Sequence, residues 1–139
     1  MIFVLFNCHS IYFIINIFHY KYSLYIYTVY FLVEPDDPNK EIKYVGRVAT
    51  ANYDYRMKTH LIMRGLVPAS RIDGLSYEEA RGLEEWGMLQ FNTVKGEKPW
   101  NIIHGIGIGN KQINLYFFDG RNYIENHIEN IILNLHDYL

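Results

Sequence analysis

The chain has 139 residues, half of them hydrophobic, with a formal net charge of −2 and one cysteine. This length gives one domain of ordinary size with a real core and leaves no room for a second packed core. The slightly acidic balance excludes the global basic field of many nucleic-acid-binding proteins. Because Cys8 is alone, an internal disulfide framework and a zinc site built on several thiolates are excluded as well.

The first part of the chain is almost uncharged, since Lys21 is its only formal charge up to Val33. Residues 1–19 are long enough for a membrane-spanning candidate, but polar residues interrupt them, and no basic residue precedes them as in a signal peptide. Three interpretations stay open: a weak membrane anchor, a buried or partner-covered extension, and an upstream stretch from a misplaced start or truncated gene. We therefore divide the chain into an apolar extension, 1–23, and a folded domain, 24–139.

From about Leu24 the sequence predicts the first elements of a small antiparallel sheet. Residues 25–33 and 42–48 are rich in aromatic and β-branched side chains, as strands are. The Pro- and Asp-rich cluster at 35–39 has the composition of a turn. The two strands are therefore expected to form a hairpin with a long polar loop.

Three helices and two further strands are expected after the hairpin. Asn52 and Gly65 fit the two ends of the first helix, and Ser76 with Glu79 forms a capping box that opens the second. The expected elements are a helix at 53–64, a strand at 70–75, a helix at 77–91, loops at 95–99 and 105–109, a strand at 113–118, a turn at 119–120 and a helix at 124–135. The order β-β-α-(β)-α-(β)-α, with helices covering a small sheet, indicates an α+β domain.

Two tyrosines of the hairpin are the first candidates for chemistry. Tyr30 lies in the first predicted strand and Tyr44 starts the segment Tyr44-Val45-Gly46 in the second. Their side chains can point to one face, and Gly46 would let backbone or ligand come close. With thirteen tyrosines in the chain, cross-strand aromatic packing is the simpler explanation of the pair taken alone.

The predicted helices add charged candidates. Arg56 and His60 are four residues apart and share a face; a guanidinium there can grip a phosphate, and an imidazole can move a proton. Glu84 has small or apolar neighbours one turn away, which indicates an inward carboxylate that a hard divalent cation would satisfy. Glu85, one turn after Arg81, is expected to be an ordinary exposed ion pair. Plain surface charge is the alternative for Arg56 and His60, and a solvated helix face is the alternative for Glu84.

Charge clustering and histidine spacing give weaker signals. Between Lys40 and Arg71 there are seven basic residues against two acidic ones, a net charge of +5. This stretch could face a polyanion, although a solvated helix face explains the charge more simply. His104, His127 and His136 lack partners at metal-ligand spacing, so they are interpreted as ordinary loop or helix residues.

In their order and spacing, these residues resemble the GIY-YIG nuclease family. The first family motif stands as Thr28-Val29-Tyr30, with threonine in place of the usual leading glycine. The second stands as Tyr44-Val45-Gly46 and is followed by Arg47. The hairpin loop between the two motifs is longer than is common in the family.

The resemblance continues into both predicted helices. Arg56 and His60 match the family's first helix, and Ala80-Arg81-Gly82-Leu83-Glu84-Glu85 is similar to its A-R-x-L-E-Q helix. Asn101 stands where the family often has a late asparagine. The resemblance covers roughly residues 27–106; the N-terminal segment is unmatched and the last thirty residues are poorly matched.

The resemblance implies a metal-dependent endonuclease that hydrolyses phosphodiester bonds in DNA or RNA. Glu84 would hold one divalent metal ion, Mg²⁺ or Mn²⁺, at the scissile phosphate. Tyr44 would activate or position the attacking water, and Arg56 would stabilise the charge of the transition state. The other implied residues are Tyr30 and His60 for proton transfer and phosphate contact, and Arg47, Lys58 and Asn101 for substrate binding.

Residues 74–81 and 99–101 are also similar to GIY-YIG domains at the C-termini of bacterial polymorphic toxins. This narrower resemblance implies a nuclease delivered by a larger protein, acting in the cytoplasm and neutralised by an immunity protein. Two alternatives stay open: an inactive or nucleic-acid-binding module of this fold, tethered to a membrane through residues 1–20, and a small membrane-associated protein without enzymatic function. No base-reading element is identifiable, so little sequence specificity is expected.

Overall fold

The structure is a computed structural model that describes residues 26–94, 100–102, 104–107 and 109–138. These residues form an α+β fold, in agreement with the sequence-based expectation. Its elements are β1 (Tyr27–Val33), β2 (Tyr44–Ala49), α1 (Tyr53–Arg64), β3 (Val67–Leu75), α2 (Tyr77–Gln90) and α3 (Ile113–Leu135), with short 3-10 turns at Thr50–Asn52 and His136–Tyr138. The apolar extension at 1–23 and the loop at 95–99 lie outside the described residues. No helix in the described part of the chain is both long and apolar enough to cross a membrane.

The three strands form one antiparallel sheet with β1 in the centre, in the order β2-β1-β3. Alternation along β1 sends successive side chains to opposite faces. Val29 and Phe31 pack into a cluster with residues of α2 and α3, whereas Tyr30 and Leu32 pack with Leu66 and residues of α1. Helices therefore cover both faces, and β1 is buried from both sides.

The first two helices form as the sequence predicts. Helix α1 ends at Gly65, whose left-handed backbone (φ 68°) terminates it, and the Ser76–Glu79 capping box is formed at the start of α2. Asn52 occupies the N-cap position of α1, but its side chain makes no capping hydrogen bond. The third strand is longer than predicted and begins at Val67.

The last third of the chain corrects the prediction. The expected strand at 113–118 and the turn at Asp119-Gly120 are wrong, because these residues are helical. Helix α3 runs over 113–135, includes the helix expected at 124–135, and is kinked at His127, where the backbone is not helical. The reason is packing: Gly120 lies against Gly82 of α2, where a Cβ on Gly82 would be 2.5 Å from the Gly120 Cα. Two glycines let the helices approach closely, so Gly120 serves the contact between α2 and α3 and not a turn.

Candidate active site

A cleft of about 950 Å³ lies beside the edge strand β2. The ends of β2 and α1, the inner flank of α2 and the segment around residues 100–107 enclose it. The ionisable side chains that line it are Tyr44, Arg47, Arg64, Arg81, Glu84 and His104. Three guanidinium groups thus face a single carboxylate, so the cleft is locally basic although the chain is acidic, and it can attract a phosphate.

Behind Tyr44, a buried network centres on the hydroxyl of Tyr30. Arg56 Nε lies 3.3 Å from the Tyr30 oxygen, and His60 Nε2 lies 3.0 Å from it. Arginine can only donate, so the Tyr30 hydroxyl oxygen accepts from Arg56, and the same hydroxyl forms a hydrogen bond with His60 Nε2. The Tyr44 ring lies 4.7 Å from the His60 ring and 6.1 Å from the Tyr30 ring, between centroids. The structure therefore brings four predicted site residues, Tyr30, Tyr44, Arg56 and His60, into one cluster.

Burial keeps the inner members of this network uncharged. Burial lowers the pKa of His60 to about 4, assisted by the positive charges of Arg56 and Arg64. Burial likewise raises the pKa of Tyr30 above its ordinary value. Tyr30 is fully buried and His60 is 3% exposed, so neither reaches the cleft surface directly. Tyr44 is the partly exposed member that does.

Gly46 is required by the close approach of the two tyrosines. It is the partner of Tyr30 in the pairing of β1 with β2. A Cβ at this position would lie 2.6 Å from the Tyr30 hydroxyl oxygen and 2.7 Å from Cε1 of Tyr44. Any larger residue would displace one of the two rings.

Glu84 projects from α2 to the inner wall of the cleft and is 8% exposed. Arg47 Nε lies 3.0 Å from Glu84 Oε2 and forms an ion pair with it, but the geometry of the N–H group is not that of a hydrogen bond. Neither atom has a hydrogen-bond partner among the described residues. Burial raises the pKa of Glu84, while the charges of Arg47 and Arg81 act in the opposite direction. A buried carboxylate oxygen without a hydrogen bond is an energetic cost that a ligand can remove.

The surroundings of Glu84 fit a hard divalent cation. Carboxylate oxygen is the ligand type that Mg²⁺ prefers, and one or two carboxylates with water and substrate phosphate usually suffice. A Cβ on Gly105 would lie 2.7 Å from Glu84 Oε2, so this glycine leaves space beside the oxygen. Among the described residues, no group of three or more acidic, histidine or cysteine side chains could hold a metal together. Glu84 is the one carboxylate in the described lining of this cleft.

Asn101 fastens the segment over the cleft to the sheet edge. Its Nδ2 donates to the Val45 carbonyl at 2.8 Å, and its Oδ1 accepts from the Val45 N–H at 3.1 Å. Its own N–H donates to the Thr93 carbonyl. The side chain is 4% exposed and both ends of its amide are bonded to protein. Asn101 therefore holds the wall of the cleft, whereas the sequence pointed to substrate contact.

Besides the buried Tyr30 and His60, two exposed predicted residues lie away from the cleft lining. Lys58 is exposed two positions before the inward His60, which places it on the outer side of α1. Arg56 is exposed and bonded to Tyr30 but does not line the cleft. The +5 stretch also divides: Arg47 and Arg64 reach the cleft, while Lys43 pairs with acidic residues of its own loop.

The structure adds residues that the sequence did not single out. Arg64 donates to the Trp100 carbonyl at 3.0 Å and lies over the Tyr44 ring, and Arg81 lies over the ring of Tyr77. Both arginines join Tyr44 and Glu84 at the cleft only in the folded structure. The sequence did offer a signal for them: Arg64 lies one turn after His60 and Arg81 one turn before Glu84, so each shares a helix face with a predicted site residue.

The prediction that Glu85 forms an exposed ion pair with Arg81 is wrong, because Glu85 is buried and contacts His104. It is 5% exposed, its Oε1 lies 2.7 Å from His104 Nδ1, and its Oε2 accepts from the Ile106 N–H at 3.2 Å. His104, expected to be an ordinary loop residue, thus has a buried carboxylate partner. The contact joins residues nineteen positions apart, so helix spacing alone could not indicate it.

Comparison with protein-family models, with curated proteins and with solved structures found no match for this chain.

Proposed function

We propose that the chain is a divalent-metal-dependent endonuclease of the GIY-YIG type, hydrolysing phosphodiester bonds in DNA or RNA. One observation supports it above the others. Tyr44 and Arg47, from the second motif of the resemblance, line the same cleft as Glu84, from its helix motif. The Tyr30, Arg56 and His60 group of the same resemblance lies directly behind Tyr44.

The cleft residues can divide the work of phosphodiester hydrolysis. Arg47, Arg64 and Arg81 can bind phosphate oxygens and offset the negative charge that grows as water attacks phosphorus. Tyr44 lies at the surface, where its hydroxyl can orient the attacking water. The neutral Tyr30–His60 pair packs behind it, with Arg56 next to the Tyr30 hydroxyl as a further positive charge.

Glu84 would hold the metal ion, with waters and a phosphate oxygen in the remaining positions. When bound, such an ion polarises the phosphate and stabilises charge on the leaving oxygen. Arg47 shares the Glu84 carboxylate, so it is placed to keep the substrate phosphate next to that oxygen. No step here needs a base-reading group, so we propose little sequence preference.

Cleavage by the full chain tests the proposal. Plasmid DNA and total RNA are incubated with the protein and Mg²⁺ or Mn²⁺, and in parallel with EDTA. We expect cleavage that EDTA abolishes, and a Glu84→Gln rate lower by about 100-fold or more because the metal loses its one carboxylate. Glu129→Gln, an exposed glutamate of α3, is the matched control and should cleave at the wild-type rate.

Other outcomes separate the alternatives. Nucleic-acid binding without cleavage, by folded protein supplied with metal, would favour the binding-module interpretation. Cleavage that survives Glu84→Gln would remove the site assignment while leaving a nuclease.

Delivery as a toxin, action in the cytoplasm and an immunity protein rest on the narrower resemblance alone. Expression in bacteria gives a direct check. We expect wild-type protein to arrest growth and the Glu84→Gln variant to be tolerated. Equal toxicity of both proteins would contradict a toxic nuclease.

A further inference from the structure

The pair formed by Glu85 and His104 stands beside the cleft without a role in the scheme above. Glu85 is buried, with a side chain only 6% exposed, whereas the His104 side chain is 40% exposed and lines the cleft together with Tyr44 and Glu84. Their contact, 2.7 Å from Oε1 to Nδ1, is short for a hydrogen bond between nitrogen and oxygen. A buried group thus fixes the orientation of a partly exposed imidazole.

The orientation leaves one ring nitrogen of His104 for chemistry. An ionised carboxylate can only accept, so Nδ1 carries the hydrogen of the neutral ring and Nε2 carries a lone pair. No described residue forms a hydrogen bond with Nε2. The other imidazole near the cleft differs on both counts, because His60 is buried and its Nε2 already forms a hydrogen bond with Tyr30.

We propose that His104 is a catalytic residue, the general base that accepts the proton of the attacking water, and that Glu85 is its positioning residue. This inference rests on the proposed nuclease function. Water oxygen forms a bond to phosphorus as its proton passes to Nε2, and the ester bond to the leaving oxygen breaks with its electron pair. The leaving oxygen takes a proton from solvent, and the imidazolium returns its own proton to solvent. Tyr44 then orients the water without removing its proton.

The Glu85 carboxylate suits this role beyond holding the loop. Its second oxygen accepts from the Ile106 N–H and joins the segment to α2. The contact of Oε1 with Nδ1 holds the ring itself, fixing its tautomer and stabilising the imidazolium that forms. The same division of roles holds in carboxylate–histidine pairs of hydrolases generally.

Single-turnover cleavage with saturating protein and Mg²⁺ tests the inference on the full chain. We expect His104→Ala to lower the cleavage rate by about 100-fold or more while nucleic-acid affinity changes by less than about threefold. Added imidazole should restore part of the His104→Ala rate and none of the Glu84→Gln rate. His136→Ala, an exposed histidine near the end of the chain, is the matched control. Should His104→Ala not fold, His104→Gln, whose amide can still donate to Glu85, serves the same comparison.

A double-mutant comparison tests the Glu85 assignment. Glu85→Gln keeps an oxygen that can accept from the Ile106 N–H, but it removes the charge and presents an NH2 donor to Nδ1 in place of an acceptor. We therefore expect a slower reaction in the wild-type background and no further loss in the His104→Ala background. A Glu85→Gln effect that persists without His104 would show a purely structural role. Glu84-dependent cleavage with His104→Ala at the wild-type rate, or without imidazole rescue, would overturn this inference alone. A wild-type protein that cleaves nothing would overturn the proposed function with it.

Discussion

Inside the cluster behind Tyr44, burial decides the charge of the imidazole. Arg56 donates to the Tyr30 hydroxyl, and the same hydroxyl forms a hydrogen bond with His60 Nε2. Because burial lowers the pKa of His60, the ring stays neutral inside the cluster. Protonation of His60 would place a third positive charge near Arg56 and Arg64.

This arrangement makes folding stability depend on acid. The pKa of His60 is lowered to about 4, so the unfolded chain binds a proton at higher pH than the folded one. The contribution of neutral His60 to the unfolding free energy is complete above about pH 6.5 and is lost as the pH falls towards 4. This contribution is at most about 3 kcal/mol and is reduced by solvent screening. Urea unfolding at several pH values between 7 and 4 measures it.

His60→Gln provides the control for that measurement, because it removes the titrating ring. The variant should lose less stability than wild type over the same pH range. Parallel curves for the two proteins would contradict a neutral, buried His60.

Gly46 gives a second prediction for a single position. Gly46→Ala would place a methyl group 2.6 Å from the Tyr30 oxygen, so we expect the unfolding free energy to fall by about 1–3 kcal/mol and cleavage to fall as Tyr44 moves. Gly109→Ala is the control, since it lies outside the cleft lining and a Cβ there meets nothing within 4 Å. Denaturant unfolding and the cleavage assay are the measurements. Equal stability of the two variants would contradict the close packing of the tyrosines.

Among the elements, the sequence predicted the helices whose ends are marked by capping residues. Gly65 marks the end of α1 and the Ser76–Glu79 capping box marks the start of α2, so both helices could be predicted from the sequence. Helix α3 does not, because the aromatic run at 113–118 and the Asp119-Gly120 pair favour a strand and turn locally. Only contact with α2, through Gly82, makes the helix the better solution.

That contact predicts a strong effect from a very small change. Gly82→Ala would bring a Cβ 2.2 Å from the Tyr116 carbonyl oxygen and 2.5 Å from the Gly120 Cα, both backbone atoms. We expect a loss of about 3 kcal/mol or more in unfolding free energy, since neither helix can move without opening the core. Thermal unfolding followed by circular dichroism measures it. Gly109→Ala, which meets nothing within 4 Å, should unfold like wild type.

The candidate site divides in the same way, into residues that local sequence signals predict and residues that depend on contacts between distant parts of the chain. Glu84 was found because its neighbours one turn away are small or apolar, a property of α2 alone. The burial of Glu85 depends on His104 and Ile106, which the chain brings back across the helix. No spacing within α2 distinguishes that carboxylate from an exposed one.

At the scale of the whole molecule, the proposed metal site links ligand binding to folding. A metal held by Glu84 binds the folded chain and not the unfolded one, so it should raise the unfolding temperature without nucleic acid present. At a free concentration about ten times its Kd, the stabilisation is about 1.4 kcal/mol. Thermal unfolding with and without Mg²⁺ or Mn²⁺ measures it, and EDTA should reverse it. An equal increase in Glu84→Gln would place the metal elsewhere.

The amide of Asn101 also affects what the sheet can bind. Strand β2 is an edge of the sheet, and an edge strand exposes backbone groups that can pair with a strand of another chain. At Val45, Asn101 already bonds both of these groups, as a neighbouring strand would. At this position the side chain of Asn101 therefore takes the place that an added strand would need, so the wall of the cleft also covers part of the sheet edge.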